Sequence, residues 1–374
     1  MNMVKKTIGI MTFTTSLRNY GQILQAYALQ SYLRDKGHNA VIINYDMRAR
    51  LELNREARLA RLKYFIKNIP PVRRRLMRGH MEQPDLCHFR RFKEQHMTFS
   101  PITYHTLRDL QRRPFEADVY MTGSDQVWGV HIPNIEPYLL NFGRPDTPRV
   151  AYAASFGRVK FSRHELRYIP PLLRRYKAVG VRETSGIEAC QTLRYPDAVL
   201  TPDPTILRTR EQWDSLSGGR NPFRTDKTRV FVYSCYLPKG TLPAIATSLS
   251  GDKEIITADI VNDDPAYSHL SIEEWIGAVK NADYVVTNSF HCTMFSLYFN
   301  KPFVVFKYRP GYCGSMNTRL DSILSQLRLT DRFIAFDDQD KTEQVLRTPI
   351  DWSEVNERLE DMRRIGADFL ETNI

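Results

Sequence analysis

The sequence predicts an α/β protein made of two Rossmann-like domains. Apolar runs suited to buried strands alternate with helical patterns along nearly the whole chain, which is typical of parallel sheets covered by helices. The 374 residues are enough for two domains of ordinary size. The strand spacing is irregular and a long insertion covers residues 48–114, which argues against a barrel of eight regular βα units.

The first part of the chain reads as strand, helix, strand. Residues 6–13 and 39–46 are strand-like, and residues 21–37 form a helix with Gly37 at its C-terminal cap. Such a βαβ unit implies parallel strands and a right-handed crossover. Further strands are predicted at 119–122 and 149–157, and a helix at 163–176.

The second part repeats the alternation. We predict a first domain at 1–175, a second at 176–350 and a C-terminal helix at 351–374, whose apolar face carries Val355, Leu359, Met362, Ile365 and Phe369. The helix at 271–282 begins with a Ser271/Glu274 capping box. Strands are predicted at 176–183, 197–205, 228–236, 253–260, 284–286 and 302–308, and further helices at 184–193 and 318–329.

Composition limits the class of protein. With 42% hydrophobic and 25% charged residues the chain is globular, and no apolar run reaches the ~18–20 residues of a membrane span. The N-terminus lacks a signal-peptide cleavage pattern. The five cysteines form no CxxC pair and are odd in number, which indicates reduced thiols in a cytoplasm and argues against disulfides or a zinc site.

The chain is basic, with a net charge of +11 and a dense group of arginines at 48–78. This balance predicts an acidic partner. Nucleic acid is disfavoured, because no helix-turn-helix, zinc-finger or aromatic RNA-binding signature is present.

Ligands of open α/β sheets bind outside the carboxyl ends of the strands, so the residues there are the candidates for a site. The set is rich in groups that bind anions. It comprises Thr14–Gly21, Gly123, Ser124, Asp125, Gln126, Ser155, Arg182, Glu183, Asp203, Asn288, Ser289, His291, Lys307, Arg309, Asn317 and Arg319.

His291 and Arg182 are the most informative of these. A polar step at 287–290 ends a buried strand and opens a helix, whose free N–H groups suit an anion. Arg182 follows a buried strand directly, where arginine suits a carboxylate or phosphate. The structural alternatives are a capping or core histidine, a surface Arg182–Glu183 ion pair, and a turn-forming role for Asp203 and for residues 123–125.

Seven segments in this order resemble the polysaccharide pyruvyl transferase family, over roughly residues 7–335 but not the insertion at 48–114. The resemblance implies two domains facing across a cleft as in B-type glycosyltransferases, with a C-terminal helix packing back on the first. It also implies phosphoenolpyruvate as donor, a pair of sugar hydroxyls as acceptor, a pyruvate ketal on a bacterial surface or capsular polysaccharide, and no cofactor or metal. The segments are NYGQILQAYALQSYLRDKGHNAVIINY, ADVYMTGSDQVWG, AYAASFG, VGVRETSGIEACQ, DPTILRTREQW, VVTNSFHCTMFSLYFNKPFVVF and NTRLDSILSQLRL.

The resemblance also suggests roles. Arg182 and His291 match the family's donor-binding set, with Ser289 beside them. Where some members have Arg-Leu-His this chain has Ser289-Phe290-His291, so we expect Arg319 or Lys307 to supply the missing charge. His291 and Asp125 are the expected catalytic residues, with Asp125 as base. The expected acceptor-binding residues are Asn19, Tyr20, Gly21, Ser124 and Gln126.

Two further hypotheses concern the partners. A helix within 48–78 could rest on an anionic membrane that carries a lipid-diphosphate-linked acceptor, which would place the protein at the inner membrane face; the alternative is a solvated helix. Rival functions are a glycosyltransferase that uses a nucleotide sugar, and a non-catalytic binding protein.

Overall fold

The computed structural model describes residues 4–16, 18–46, 87–129, 134–237, 240–260, 269–308 and 317–374. The basic segment 48–78 lies outside these residues, as does most of the predicted insertion. Among the described helices, none combines the length and the apolar character needed to cross a membrane.

Within the described ranges the first sheet has six parallel strands in the order β2-β1-β3-β4-β5-β6. Its inner strands are almost continuously buried runs such as RVAYAA, as expected where helices cover both faces of a parallel sheet. They are β1 (Thr7–Met11), β2 (Asn39–Ile42), β3 (Val119–Thr122), β4 (Arg149–Ala154), β5 (Ala178–Val181) and β6 (Val199–Leu200).

The second sheet, again within the described ranges, has five parallel strands in the order β11-β10-β9-β7-β8. The two parallel-sheet domains predicted from the sequence are thus confirmed. The strands are β7 (Thr228–Ser234), β8 (Lys253–Asp259), β9 (Tyr284–Thr287), β10 (Phe303–Phe306) and β11 (Phe333–Ile334).

Helices connect the strands, and local sequence signals set their ends. Asn19 caps the first helix and Gly37, with φ of 89°, follows its last turn. The Ser271/Glu274 capping box is confirmed. The described α-helices are α1 (Tyr20–Asp35), α2 (Cys87–His96), α3 (Leu107–Arg112), α4 (Glu165–Leu173), α5 (Thr184–Thr192), α6 (Arg210–Ser217), α7 (Thr241–Ser248), α8 (Ile272–Asn281), α9 (Phe290–Tyr298), α10 (Asn317–Gln326), α11 (Thr342–Arg347) and α12 (Trp352–Asn373).

The predicted domain boundary at 175/176 lies too early in the chain. β5 pairs with β4 through Val150 and Ala178, and β6 pairs with β5, so both complete the first sheet. The two sheets divide between Leu200 and Thr228. Arg182, at the end of β5, therefore belongs to the first domain, whereas His291 belongs to the second.

The C-terminal helix packs back on the first domain, as predicted. The ring of Phe369 lies 6.0 Å from that of Tyr152, and Lys36 pairs with Glu371 at 2.6 Å. The predicted apolar face is corrected at one position. Ile365 is 51% exposed, because the buried face runs through Gly366 and Leu370, one residue further around the helix.

Candidate active site between the domains

The polar step after β9 ties two strands of the second sheet together. Asn288 accepts a hydrogen bond from the backbone N–H of Cys235 at 2.8 Å and donates to its carbonyl at 2.7 Å. The Thr287 hydroxyl donates to the carbonyl of Tyr233. Ser289 is the N-cap of α9 and accepts from the N–H of Cys292. These residues therefore fix the strand end, and leave the next polar side chain, His291, to face the first domain.

His291 lies between α1 and a loop of the first domain. Its Nε2 is 3.5 Å from the Oδ2 atom of Asp203. A β-carbon on Gly21 would lie 2.1 Å from Nδ1 of His291, so the imidazole reaches this place only because residue 21 is glycine. Gly21, predicted as an acceptor-binding residue, thus contacts the histidine directly.

Arg182 extends from the end of β5 into the same place. Its Nη1 donates to Asp203 Oδ2 at 2.9 Å and to the Ser124 hydroxyl at 3.3 Å. Its Nε lies 3.8 Å from Glu183 Oε2. The guanidinium is 5.0 Å from the ring of Phe290, which is within cation–π range.

Arg319 reaches the site from α10 of the second domain. Its guanidinium lies 5.9 Å from the Phe290 ring, so Phe290 contacts both arginines. Oδ1 of Asp125 lies 3.9 Å from Arg319 Nη1 and 3.6 Å from Arg182 Nη2. Asp125 itself has a left-handed backbone, with φ of 80°, and this turn directs its carboxylate between the two arginines.

We call Asp125, Arg182, Asp203, His291 and Arg319 the interdomain cluster. Burial would raise the pKa of Asp125, but Arg182, Arg319 and His291 outweigh it and hold the pKa below its usual value. Burial would also raise the pKa of Asp203, but the charges of His291 and Arg182 outweigh burial. They hold the pKa of Asp203 well below its usual range. Both carboxylates are ionised at neutral pH, so the two arginines of the cluster face two anions.

The arginines respond differently to this environment. Burial lowers the pKa of Arg182, but Asp203, Asp125 and Glu183 outweigh it and raise the pKa. For Arg319 burial and the charge of Arg182 outweigh Asp125, so its pKa is lowered from the ordinary value of 12.5. Arg319 is therefore the less completely compensated cation of the pair.

Several buried donors of the interdomain cluster have no hydrogen-bond acceptor among the described residues. They are Nε and Nη2 of Arg182, Nε of Arg319, and Nε2 of His291, which faces Asp203 Oδ2 at 3.5 Å, beyond the usual hydrogen-bond distance. Buried polar groups in proteins are almost always paired, and an unpaired one calls for an explanation such as a missing ligand. Four such donors from two domains indicate a place where an anionic ligand would supply acceptors.

One family model matches the chain by sequence. The family model for polysaccharide pyruvyl transferase matches residues 19–310, which hold every member of the interdomain cluster except Arg319. The chain belongs to the polysaccharide pyruvyl transferase family. The family predicted from the seven sequence segments is thereby confirmed.

Solved structures align with most or all of the chain at low sequence identity. The glycotransferase of kitacinnamycin aligns over 100% of both chains with 12% identity and a TM-score of 0.47. A putative UDP-N-acetylglucosamine 2-epimerase from Listeria monocytogenes aligns over 95% of this chain and 94% of its own, with 10% identity and a TM-score of 0.45. No protein of curated function matches the chain by sequence.

The residues expected to bind the acceptor do not form one surface in the structure: each makes a different kind of contact within the protein. Ser124 is buried beside Arg182 and donates to Asp203 Oδ2 at 3.3 Å. Asn19 caps α1 by accepting from the N–H of Gln22. Gln126 lies next to Asp125 and donates its backbone N–H to that carboxylate at 2.9 Å.

Tyr20 differs most from its expected role. Its ring stacks on Trp275 of the second domain at 5.2 Å, and its hydroxyl donates to the carbonyl of Leu270 at 2.7 Å. Both ends of the side chain are used within the protein, which argues against acceptor binding by Tyr20.

Lys307, expected in the donor site, is exposed, and its ammonium lies 4.9 Å from the ring of Phe333. The structure therefore brings Arg319, rather than Lys307, to Arg182. Asp203 is one of the predicted strand-end candidates, but it was given no donor-binding, acceptor-binding or catalytic role, because an Asp-Pro-Thr sequence is also an ordinary turn. Its position at the end of a strand was the available signal.

Proposed function

We propose that this protein transfers the enolpyruvyl group of phosphoenolpyruvate onto two hydroxyls of a sugar and so forms a pyruvate ketal, in the synthesis of a bacterial surface polysaccharide. The observation that supports this proposal is the group of buried, unpaired donors of Arg182, Arg319 and His291. Phosphoenolpyruvate carries a carboxylate and a phosphate, and guanidinium groups bind both.

An anionic donor has to compete with Asp125 for the two arginines. Oδ1 of Asp125 lies 3.6 and 3.9 Å from them, which is longer than a hydrogen bond. A phosphoenolpyruvate oxygen at hydrogen-bond distance from the arginines would bind them more strongly than the Asp125 carboxylate does. Arg319 would thus supply the charge that Ser289-Phe290-His291 lacks relative to Arg-Leu-His.

The proposed reaction assigns a proton transfer to each of two residues. His291 protonates the methylene carbon of phosphoenolpyruvate as a sugar hydroxyl bonds to C2, and Asp125 accepts the proton of that hydroxyl. Because Asp125 is a weak base, it takes this proton as the new C–O bond makes the hydroxyl acidic. Phosphate then leaves with its electron pair and takes up the proton held by Asp125. The second hydroxyl bonds to C2 and gives its proton to His291, which completes the ketal and restores both residues.

The test is thermal unfolding with phosphoenolpyruvate, using His291→Ala and, as a matched control, His164→Ala. His164 is an exposed histidine at the start of α4. A ligand at a hundred times its Kd adds about 2.7 kcal/mol to the free energy of unfolding. We expect phosphoenolpyruvate to raise the Tm of the wild type and of His164→Ala, and to raise that of His291→Ala by much less. A rise with a nucleotide sugar and none with phosphoenolpyruvate would instead support the glycosyltransferase function.

The acceptor is proposed to be a sugar on a lipid diphosphate, bound by a cytoplasmic enzyme that touches the inner membrane face through residues 48–78. The dense positive charge of that segment is the basis of this proposal. Co-sedimentation with liposomes that contain anionic lipid, compared between the wild type and a variant with reversed charge at 48–78, tests it. Equal binding by the two proteins would contradict it.

A further inference from the structure

Asp203 has no step in the proposed reaction, yet its carboxylate joins groups from both domains. Oδ2 accepts a hydrogen bond from Arg182 at 2.9 Å and from Ser124 at 3.3 Å, and lies 3.5 Å from His291 Nε2. Oδ1 accepts from the backbone N–H of Thr205 at 3.0 Å and from its hydroxyl at 2.7 Å. Only 3% of Asp203 is exposed, so these contacts take place away from bulk water.

The loop that carries Asp203 is itself held from three sides. The Thr205 hydroxyl lies 2.9 Å from the hydroxyl of Tyr298, at the far end of the helix that carries His291. The Thr205 carbonyl accepts from Trp213 at 3.0 Å, and the Ile206 carbonyl accepts from Arg363 of α12 at 2.8 Å. A shift of Asp203 would break several of these bonds, so its carboxylate has one well-defined position.

The opposite side of the His291 ring is equally restricted. Nδ1 lies against Gly21 in the first turn of α1, and the Phe290 ring is perpendicular to the imidazole with the centroids 5.2 Å apart. With Gly21 on one side and Asp203 on the other, the imidazole has a single orientation when the two domains are in contact.

We propose that Asp203 is a positioning residue, which holds the His291 imidazole and the Arg182 guanidinium in the orientation that binds the anionic donor. Because His291 comes from the second domain, and Arg182 and Ser124, to which Asp203 is bonded, come from the first, this orientation is complete only when the domains meet. The inference rests on the proposed function, since it deepens the account of the same site.

Positioning and simple electrostatics predict opposite results when the charge of Asp203 is removed. Asp203→Asn takes one negative charge from a site for an anion, so Coulomb attraction alone would tighten the binding of phosphoenolpyruvate. If Asp203 orients Arg182 and His291, the same change weakens binding, by about tenfold or more for the loss of charge-assisted contacts.

The experiment is calorimetric binding of phosphoenolpyruvate to the wild type, Asp203→Asn, His291→Ala and the double variant. Asp283→Asn is the matched control, because Asp283 pairs with Arg229 at 2.9 Å outside the cluster. We expect Asp203→Asn to bind phosphoenolpyruvate about tenfold or more weakly than the wild type, and Asp283→Asn less than twofold more weakly. The double variant should bind no more than about threefold more weakly than His291→Ala alone. The inference would be overturned if Asp203→Asn bound phosphoenolpyruvate as tightly as the wild type. It would also be overturned if Asp203→Asn weakened binding as much in the His291→Ala background as in the wild type.

Two further measurements keep the inference testable. If Asp203→Asn does not fold, Thr205→Val is the substitute, because it keeps the charge of Asp203 but removes the hydroxyl that fixes Oδ1. We expect Thr205→Val to bind phosphoenolpyruvate about threefold more weakly than the wild type in the same calorimetric experiment. The ¹⁵N signals of the His291 ring, assigned with His291→Ala, need no ligand, and they should move in Asp203→Asn but not in Asp283→Asn. A wild type that binds no phosphoenolpyruvate would refute the proposed function, whereas unmoved ring signals would refute the positioning role.

Discussion

The two domains meet through two regions that differ in how well their polar groups are paired. Around Tyr20 the contact is mainly aromatic: its ring stacks on Trp275, and its hydroxyl is bonded to the carbonyl of Leu270. In the interdomain cluster, by contrast, buried donors of Arg182, Arg319 and His291 have no acceptor among the described residues. An apolar contact gains free energy when it forms, whereas a buried unpaired donor costs free energy until a ligand pairs it.

The boundary between the two regions falls between neighbouring residues of α1. Tyr20 and Gly21 are adjacent, but the first contacts the aromatic core and the second contacts His291. We therefore expect changes in the Tyr20 region to alter stability first, and changes at the interdomain cluster to alter donor binding first.

The largest effect is expected from Tyr20→Ala. Truncation of a buried aromatic side chain costs about 3–5 kcal/mol of unfolding free energy, measured here by urea unfolding. Tyr20→Phe is the control, since it removes only the hydrogen bond to Leu270 and should cost about 1 kcal/mol. Equal stability of the two variants would show that the stacking on Trp275 contributes little.

Gly21→Ala should have the next largest effect, on donor binding. The new methyl group would lie 2.1 Å from His291 Nδ1, so the imidazole has to move, and we expect phosphoenolpyruvate affinity to fall by about tenfold to a hundredfold. Gly37→Ala, after the same helix, is the control. Its methyl group would meet no atom within 4 Å, so it should leave affinity unchanged despite the strain of a positive φ.

Arg319→Ala tests whether Arg319 replaces the missing arginine. Loss of one charge-assisted contact should weaken phosphoenolpyruvate binding by about tenfold, and Arg319→Lys should restore part of it. Arg328→Ala, which removes an exposed arginine paired with Glu354, should change the affinity by less than about twofold. Unchanged affinity in Arg319→Ala would contradict the role of Arg319.

The smallest effect is expected at an ion pair outside both regions, Arg158–Glu165. The hydrogen bonds from Arg158 and Ser162 together outweigh the opposing effect of burial and lower the pKa of Glu165 from its ordinary 4.5 to about 2. The carboxylate therefore stabilises the fold above pH 4.5, and this contribution is lost as the pH falls towards 2. Glu165→Gln should cost about 1 kcal/mol or less at pH 7 and progressively less below pH 4.5. A cost that does not change with pH, in unfolding at several pH values, would show that the carboxylate charge is unimportant.

Sequence patterns predicted much of the fold because they are local. Buried strands such as β10 are continuous apolar runs, and the start of α8 is marked by its capping box. The domain boundary failed for the opposite reason. Which sheet β5 joins depends on its pairing with β4, and a short apolar strand carries no local signal of its partner.

The amino-acid sequence by itself determined the two parallel-sheet domains, the family, and Arg182, His291 and Asp125 as residues at the carboxyl ends of strands. Only the tertiary structure decided which of them meet. It brought Arg319 rather than Lys307 to Arg182, placed Tyr20 in the aromatic contact, and placed Asp203 between Arg182 and His291. The physical reason is that strand and helix signals act over a few residues, whereas these contacts join residues that are distant in the chain and depend on how the two domains pack.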